Sequence, residues 1–262
     1  MPDAHINGIR LHYDERGDGA PLLCIHGAGT SAQLWAGSVE KLARLGRAIA
    51  YDRRGYGRSE RAEPCERMDV AEHADDAAAL LDALEAMPAV IVARSYGGEV
   101  ATDLALRYPD RVRALVLLEG APAFLLPKAM DWTLAFRDRM RQVASKSGVD
   151  AIGEALIGEM AGEGAWSSFP DEVRRIFTHN GPAVLADLEG EWLQAGTPAL
   201  AAIDQPVLLV AATDSPPEFR DPNQVMAEAL PNARLAVIGG GHLIDPAAPE
   251  VLTFIEEIIR SG

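Results

Sequence analysis

The feature that most constrains the fold is a serine at the junction of a predicted buried strand and a predicted helix. Residues 89–93 form a short run of apolar side chains, which suits a strand that is buried on both faces. Residues 96–108 have helical spacing and stop before Pro109. The segment Arg94-Ser95-Tyr96-Gly97-Gly98 joins the two. The sequence therefore predicts a tight turn with a strained backbone at Ser95.

Short apolar runs alternate with helical patterns on both sides of this turn. Residues 4–13 alternate in polarity around Asn7-Gly8, which is typical of a β-hairpin. Further strands are predicted at residues 21–25, 47–51, 112–118, 207–212 and 234–238, and further helices at residues 31–45, 69–87, 223–230 and 249–260. This alternation predicts an α/β fold with a mostly parallel, doubly wound sheet and an antiparallel N-terminal hairpin.

The alternation is interrupted after Pro122, where helical patterns occur without a convincing strand up to about Ile203. We predict a core of residues 1–120 and 204–262 and a helical cap of residues 121–203 inserted over one edge of the sheet. A cap over the carboxyl ends of parallel strands closes an apolar pocket. The residues that we expect to bind substrate there are Gly27, Trp132, Phe136, Trp166 and Trp192. The alternative is that the large cap residues form the cap's own core.

The position of Ser95 suits a nucleophile. The strand–turn–helix context is that of the G-x-S-x-G pattern, with Ala93 in place of the first glycine. The alternative is a serine that only caps the helix. A serine hydroxyl needs a base to remove its proton, and His242 is the candidate. It follows the last predicted strand and three glycines, at residues 239–241, which permit a loop that returns over the sheet.

A second glycine-rich segment, His26-Gly27-Ala28-Gly29, follows the strand predicted at residues 21–25. Its backbone N–H groups can point at a substrate oxygen. We expect the amides of Ala28 and Tyr96 to form an oxyanion hole. His26 is expected to hold the loop by hydrogen bonds and not to transfer protons.

Two carboxylates compete for the role of orienting His242. Asp214 follows the strand predicted at residues 207–212, the usual location in this kind of fold, but a rigid Ser-Pro-Pro turn comes directly after it. Glu119 ends the strand that follows the helix after Ser95, and its longer side chain suits a reach across neighbouring strands. We favour Glu119, with Asp214 as the alternative. A strand-end glutamate could also simply pair with Arg94.

The charge composition limits the kinds of partner that we expect the protein to bind. With 24 Lys plus Arg against 39 Asp plus Glu, the net charge is −15, which disfavours nucleic acid and anionic membranes as partners. Cys24 and Cys65 have no metal-ligand spacing and suggest no disulfide framework. No secretory signal or membrane span is evident, so we expect a cytoplasmic location. A homodimer is compatible with the sequence.

Four motifs together resemble the α/β-hydrolase superfamily, in its serine hydrolase branch. They are HGAG at residues 26–29, DRRGYGRS at 52–59, RSYGG at 94–98 and GGH at 240–242, and the resemblance runs from about residue 7 to 259. Residues 211–219 together with Leu118-Glu119 are similar to a narrower group that includes fungal zearalenone lactonases. That resemblance implies a glutamate acid after the sixth strand, here Glu119.

The expected activity is hydrolysis of a small ester or lactone through a Ser95–His242–Glu119 triad and an acyl-enzyme, with no metal or organic cofactor. Rival activities on the same triad are C–C bond hydrolysis and a cofactor-free haloperoxidase or perhydrolase reaction. A non-catalytic ligand receptor is the rival from another class. Haloalkane dehalogenase and epoxide hydrolase activities are disfavoured, because both need a carboxylate where this chain has Ser95.

Overall fold

An eight-stranded sheet forms the centre of the molecule in a computed structural model, which describes residues 2–193 and 195–261. In chain order the strands are β1 Asp3–Ile6, β2 Ile9–Arg16, β3 Pro21–Ile25, β4 Arg47–Tyr51, β5 Ala89–Arg94, β6 Val112–Leu118, β7 Val207–Ala212 and β8 Ala233–Ile238. Their spatial order is β1-β2-β4-β3-β5-β6-β7-β8. The six strands β3 to β8 run parallel to one another, whereas β1 pairs antiparallel with β2 and β2 pairs antiparallel with β4. The predicted fold class is confirmed.

The helices lie on both faces of the sheet and over its carboxyl edge. They are α1 Ala36–Leu42, α2 Val70–Ala83, α3 Tyr96–Arg107, α4 Pro127–Ser147, α5 Ile152–Ala161, α6 Asp171–His179, α7 Gly181–Glu189, α8 Thr197–Leu200, α9 Pro217–Arg220, α10 Pro222–Ala229 and α11 Pro249–Arg260. The helix predicted over residues 69–87 begins as expected, with a capping box between Asp69 and Glu72. It ends earlier, because Glu85 has a positive φ of 50° and a proline follows at residue 88.

Two apolar layers hold the helices to the sheet. The strands β5 and β7 are buried at every position, so both faces of the central sheet are covered. On one face α2, α3 and α10 pack through residues such as Leu80, Leu104 and Met226. On the other, α1 and α11 pack through residues such as Leu42 and Phe254. This is the doubly wound arrangement, and it brings the carboxyl ends of the parallel strands to one edge.

Over that edge lie the helices α4 to α8, which occupy the chain between β6 and β7. They share a third apolar cluster, which includes Phe136, Met140, Ile157 and Phe177. Among the described residues of this interval there is no strand. The interval agrees with the range predicted for the cap, and the division into two domains stays a prediction.

Candidate active site

Ser95 lies on a sharp turn between β5 and α3. Its φ of 53° and ψ of −128° are unusual for a residue with a side chain, which indicates the strained backbone that the sequence predicts. Glycine follows because the helix passes close to other backbone. A Cβ on Gly98 would lie 2.3 Å from Cα of Gly120, and one on Gly97 would lie 2.5 Å from the carbonyl oxygen of Ile25. The turn therefore presents Ser95 at the carboxyl edge of the sheet.

The loop after β8 brings His242 to Ser95. The distance between His242 Nε2 and Ser95 Oγ is 3.0 Å, and His242 Nδ1 lies 2.6 Å from Glu119 Oε2. With the imidazole hydrogen on Nδ1, His242 donates to Glu119 and accepts from the serine hydroxyl. His242 is 2% exposed and Glu119 is 3% exposed, so this series of hydrogen bonds lies largely out of water.

Glu119 is fixed by further hydrogen bonds at the end of β6. The backbone N–H of Ala212 donates to its Oε1 at 2.8 Å, and the Ser215 hydroxyl donates to its Oε2 at 2.7 Å. Glu119 also has a positive φ of 44°, a second strained position beside the site. Both donors hold the carboxylate in the position in which it faces the imidazole.

The other sequence-based interpretations of this region do not match the geometry. Asp214 is exposed and accepts a hydrogen bond of 3.0 Å from the Thr213 hydroxyl, so it does not contact His242. Arg94 does not pair with Glu119. Its guanidinium donates to the carbonyl oxygen of Ile244 at 3.3 Å, close to His242 in the same loop. The structure thus brings Glu119, and not Asp214, beside the histidine.

An aromatic row extends from the cap to the histidine. The ring of Phe219, on α9, stacks on His242 with centroids 4.1 Å apart. Trp132 and Phe219 form a T-shaped pair with centroids 4.9 Å apart, and Trp132 stacks on Phe136 at 5.1 Å. Phe219 was not among the predicted site residues, because nothing in its local sequence distinguishes it from a core aromatic residue. The row covers one side of the imidazole and keeps water from it.

Two adjoining cavities open beside Ser95. The smaller, of about 110 Å³, is lined by Ser95, Ala28 and Glu119 and by the predicted residues Trp132 and Phe136. The larger, of about 340 Å³, is lined in part by Trp192. The residues that line both are Tyr96, Glu99, Ala123, Thr133 and Leu188.

Two predicted binding residues lie elsewhere. Trp166 lines neither cavity and packs against the apolar cluster of the cap. Gly27 also lines neither, and a Cβ there would lie 3.1 Å from Cβ of Ser95. Its lack of a side chain lets the loop approach the serine. Glu99 lines both cavities but was not predicted, because an acidic residue in the first turn of a helix is usually explained by the helix dipole.

The proposed oxyanion donors lie at the same cavity. Ala28 and Tyr96 both line it, and Tyr96 begins α3, where backbone N–H groups lack helical partners. His26 is buried and its Nε2 accepts a hydrogen bond of 3.0 Å from the backbone N–H of Arg53. Burial, together with the positive charge of Arg53, holds the pKa of His26 well below its usual value. His26 is therefore a neutral residue within the loop.

A buried ionic network connects this loop to the cap. Arg53 donates to the His26 carbonyl at 3.1 Å and to Asp187, on α7, at 3.0 Å. Asp187 also accepts from the Tyr56 hydroxyl at 2.6 Å and lies 2.8 Å from His73 Nε2. Burial is the largest influence on Asp187 and opposes its ionisation, but the Arg53 charge and the contacts with His73 and Tyr56 together outweigh it and lower the pKa of Asp187. The network connects α7 to the loop that carries Ala28.

In the described part of the chain, no group of three or more His, Cys, Asp or Glu side chains is placed to hold a metal ion. No helix there is both long and apolar enough to cross a membrane. The expectations of no cofactor, of a cytoplasmic location, of a small-molecule partner and of a homodimer stay predictions.

A doubly wound sheet with a serine on a strained turn and a histidine at its carboxyl edge is typical of hydrolases. The chain belongs to the family described as the alpha/beta hydrolase fold, whose model matches residues 20–244. A 2-hydroxymuconate semialdehyde hydrolase from Pseudomonas sp. (strain CF600) is 32% identical over 75% of this chain and 69% of its own length. A protein of Azorhizobium caulinodans, provisionally named the carbamate hydrolase RutD, is 30% identical over 96% of this chain and 95% of its own.

Among solved structures, the chain is similar to Est816, described as an N-acyl homoserine lactone degrading enzyme. The two are 27% identical, with a TM-score of 0.73 and 99% of each chain covered. Both sequence relatives are named hydrolases, and the compounds named for the three proteins differ.

Proposed function

We propose that this protein is a serine hydrolase that cleaves a carboxylic ester or a lactone through an acyl-enzyme on Ser95. The observation that carries the proposal is the continuous hydrogen-bonded series from the Ser95 hydroxyl through His242 to Glu119, at distances of 3.0 and 2.6 Å. In this arrangement a base can remove the serine proton while the carboxylate stabilises the imidazolium that forms.

In the first half of the reaction, Ser95 Oγ attacks the carbonyl carbon and its proton passes to His242 Nε2. The negative charge that develops on the carbonyl oxygen is stabilised by the amides of Ala28 and Tyr96. The bond from carbon to the alcohol oxygen then breaks, and His242 returns the proton to the leaving alkoxide. Ser95 is left as an ester of the substrate acid.

In the second half, water takes the place of the alcohol. His242 accepts one of its protons, and the hydroxide attacks the acyl carbon. The bond to Ser95 Oγ breaks, and His242 protonates the serine oxygen, so that the free acid and the original protonation state result. No step requires a redox partner or a metal ion.

The shape of the site favours small acyl compounds. The cavity around Ser95 is about 110 Å³ and has aromatic walls, and the adjoining cavity of about 340 Å³ leaves room for a second part of the substrate. The similarity to a lactone-degrading enzyme at 27% identity supports the ester or lactone bond.

A second candidate is hydrolysis of a C–C bond on the same residues. It is favoured by the 32% identity to a 2-hydroxymuconate semialdehyde hydrolase. Turnover of a vinylogous diketone, compared with that of an ester of the same size, distinguishes the two.

A panel of short esters and lactones, assayed together with a fluorophosphonate that labels reactive serines, tests the proposal. We expect turnover of p-nitrophenyl esters and labelling of Ser95, and both should disappear in Ser95→Ala with an unchanged circular dichroism spectrum. The exposed Ser167→Ala serves as the matched control and should retain activity. Turnover that survives in Ser95→Ala, or ligand binding without any hydrolysis, would refute the proposal.

A further inference from the structure

Glu99 lies one helical turn beyond Ser95 and lines both cavities of the site. The mechanism above gives it no role. It is partly buried, and its Oε2 accepts one hydrogen bond, of 3.4 Å, from the backbone N–H of Leu193. This is a long contact for a carboxylate, whose ionised form prefers shorter hydrogen bonds. The Glu99 carboxylate can therefore accept further hydrogen bonds from a ligand.

The described residues that line the cavities include acidic side chains but no basic ones. Their other acidic lining residues, besides Glu119, are Glu159 and Glu218, and no Lys, Arg or His side chain is among the described residues that line them. Two nearby arginines pair with carboxylates. Arg53 pairs with Asp187, outside the lining, and Arg139 forms two hydrogen bonds to the lining residue Glu159.

The aromatic walls suit a positive group as well. Trp132, Phe136 and Phe219 line the smaller cavity, and the faces of such rings attract cations. The guanidinium carbon of Arg139 already lies 5.6 Å from the centroid of Trp132 and 6.0 Å from that of Phe136. Arg137 lies over the ring of Trp192, with its guanidinium carbon 5.4 Å from the centroid, but is not a lining residue of either cavity. A substrate carboxylate would thus meet acidic and aromatic lining groups and no cation among the described lining residues, and its burial there is costly.

We propose that Glu99 determines charge specificity, so that the site prefers ester or lactone substrates that bear an ammonium group and rejects those that bear a carboxylate. The proposal rests on the proposed function and names the substrate class of the same cavity. Burial and the negative charge of Asp187 raise the pKa of Glu99 to about 7. The other titratable residues that line the two cavities are Tyr96, on the same helix, and Glu119, Glu159 and Glu218, and Arg137 lies over the lining residue Trp192.

Three p-nitrophenyl esters of equal chain length, ending in trimethylammonium, tert-butyl or carboxylate, test this selection at pH 8 and low salt. In the unaltered protein we expect kcat/KM to be about tenfold higher for the ammonium ester than for its neutral isostere, and about tenfold lower for the carboxylate ester. Unit charges a few ångströms apart near a protein surface interact strongly enough for such ratios. In Glu99→Gln all three values should lie within about threefold of one another.

Glu250→Gln is the matched control, because it removes the same charge from an exposed position on α11. Its ratios should equal those of the unaltered protein. The ratio of ammonium to neutral ester should also rise between pH 6 and pH 8, as Glu99 ionises. Any pH dependence of the hydrolytic step itself affects both esters equally and cancels from the ratio.

Binding of benzyltrimethylammonium and of its uncharged analogue neopentylbenzene, measured by calorimetry, gives a readout that does not need turnover. Tighter binding of the cation that is lost in Glu99→Gln supports the proposal. Equal ratios and equal binding in the two proteins overturn it, even if the esters are hydrolysed. Absence of Ser95-dependent hydrolysis would instead refute the proposed function, and the binding result would still decide the role of Glu99.

Discussion

Arg53 and Asp187 form an ion pair of 3.0 Å in which the side chains are 0% and 1% exposed. Arg53 belongs to the loop after β4, and Asp187 belongs to α7 of the predicted cap. The pair thus crosses between the sheet and the helices above it. Since Arg53 also contacts the His26 carbonyl, the pair couples the position of the cap to the proposed oxyanion loop.

Asp187→Asn should therefore strongly destabilise the protein. Removing one partner of a buried pair leaves the other charge uncompensated, at a cost of about 3–5 kcal/mol. Urea unfolding followed by fluorescence measures this change. Glu257→Gln, which breaks an exposed pair with Arg234, should change stability by less than about 1 kcal/mol. Equal effects of the two substitutions would contradict this assignment.

The acid of the proposed triad can be tested with two isosteric changes. Glu119→Gln should lower kcat for a short ester by on the order of 10²–10⁴, because the imidazole loses the carboxylate that orients it and stabilises its charge. Asp214→Asn should leave kcat within about twofold, since its carboxylate is exposed and does not contact His242. Steady-state kinetics on both variants show which carboxylate orients His242. The reverse pattern would assign the role to Asp214.

Ser215 is expected to act as a positioning residue through Glu119. Its hydroxyl donates to the same oxygen that His242 contacts, so Ser215→Ala should lower kcat about tenfold with little change in KM. The pH profile of kcat should shift as well, because the basicity of the carboxylate changes. Thr213→Ala, which removes a hydroxyl bonded only to exposed Asp214, is the control. A change confined to stability would indicate a purely structural role.

Glu99 should make stability depend on pH in one direction. Burial and the charge of Asp187 raise its pKa from 4.5 to about 7 in the folded protein. Between these two pH values the folded state retains a proton that the unfolded state loses. The stability that Glu99 contributes is therefore fully present below pH 4.5 and is lost as pH rises through about 7. Glu99→Gln should therefore gain stability relative to the unaltered protein between pH 5 and pH 8, by on the order of 1–3 kcal/mol.

Urea unfolding of the unaltered protein and of Glu99→Gln, each at pH 5 and pH 8, measures this gain in stability. Taking the difference between proteins removes the opposite contributions of His26 and His73, whose pKa values are lowered by burial and by Arg53. Glu250→Gln should show no such change. A gain that is the same at pH 5 and pH 8 would show that Glu99 titrates normally.

Local sequence patterns were sufficient for the fold and for part of the site. The alternation of strands and helices, the turn at Ser95 and the glycine-rich approach to His242 depend on neighbouring residues, whose spacing and backbone preferences are visible in the sequence. The α/β fold is confirmed by the sheet order and the family match. The residues that line the cavity were harder to predict from the sequence. Trp132 lines it, whereas Trp166, equally large and also in the predicted cap, packs away from it.

The sequence predicted a serine on a strand-to-helix turn and a histidine on a glycine-rich loop, because tight turns and the alternation of strands and helices follow from local rules. Only the tertiary structure decided which carboxylate reaches His242, that Phe219 stacks on it and that Glu99 faces the cavities. Those outcomes depend on distances of a few ångströms between residues far apart in the chain. No local pattern encodes them, since they arise when β6, β7, β8 and the cap helices pack together.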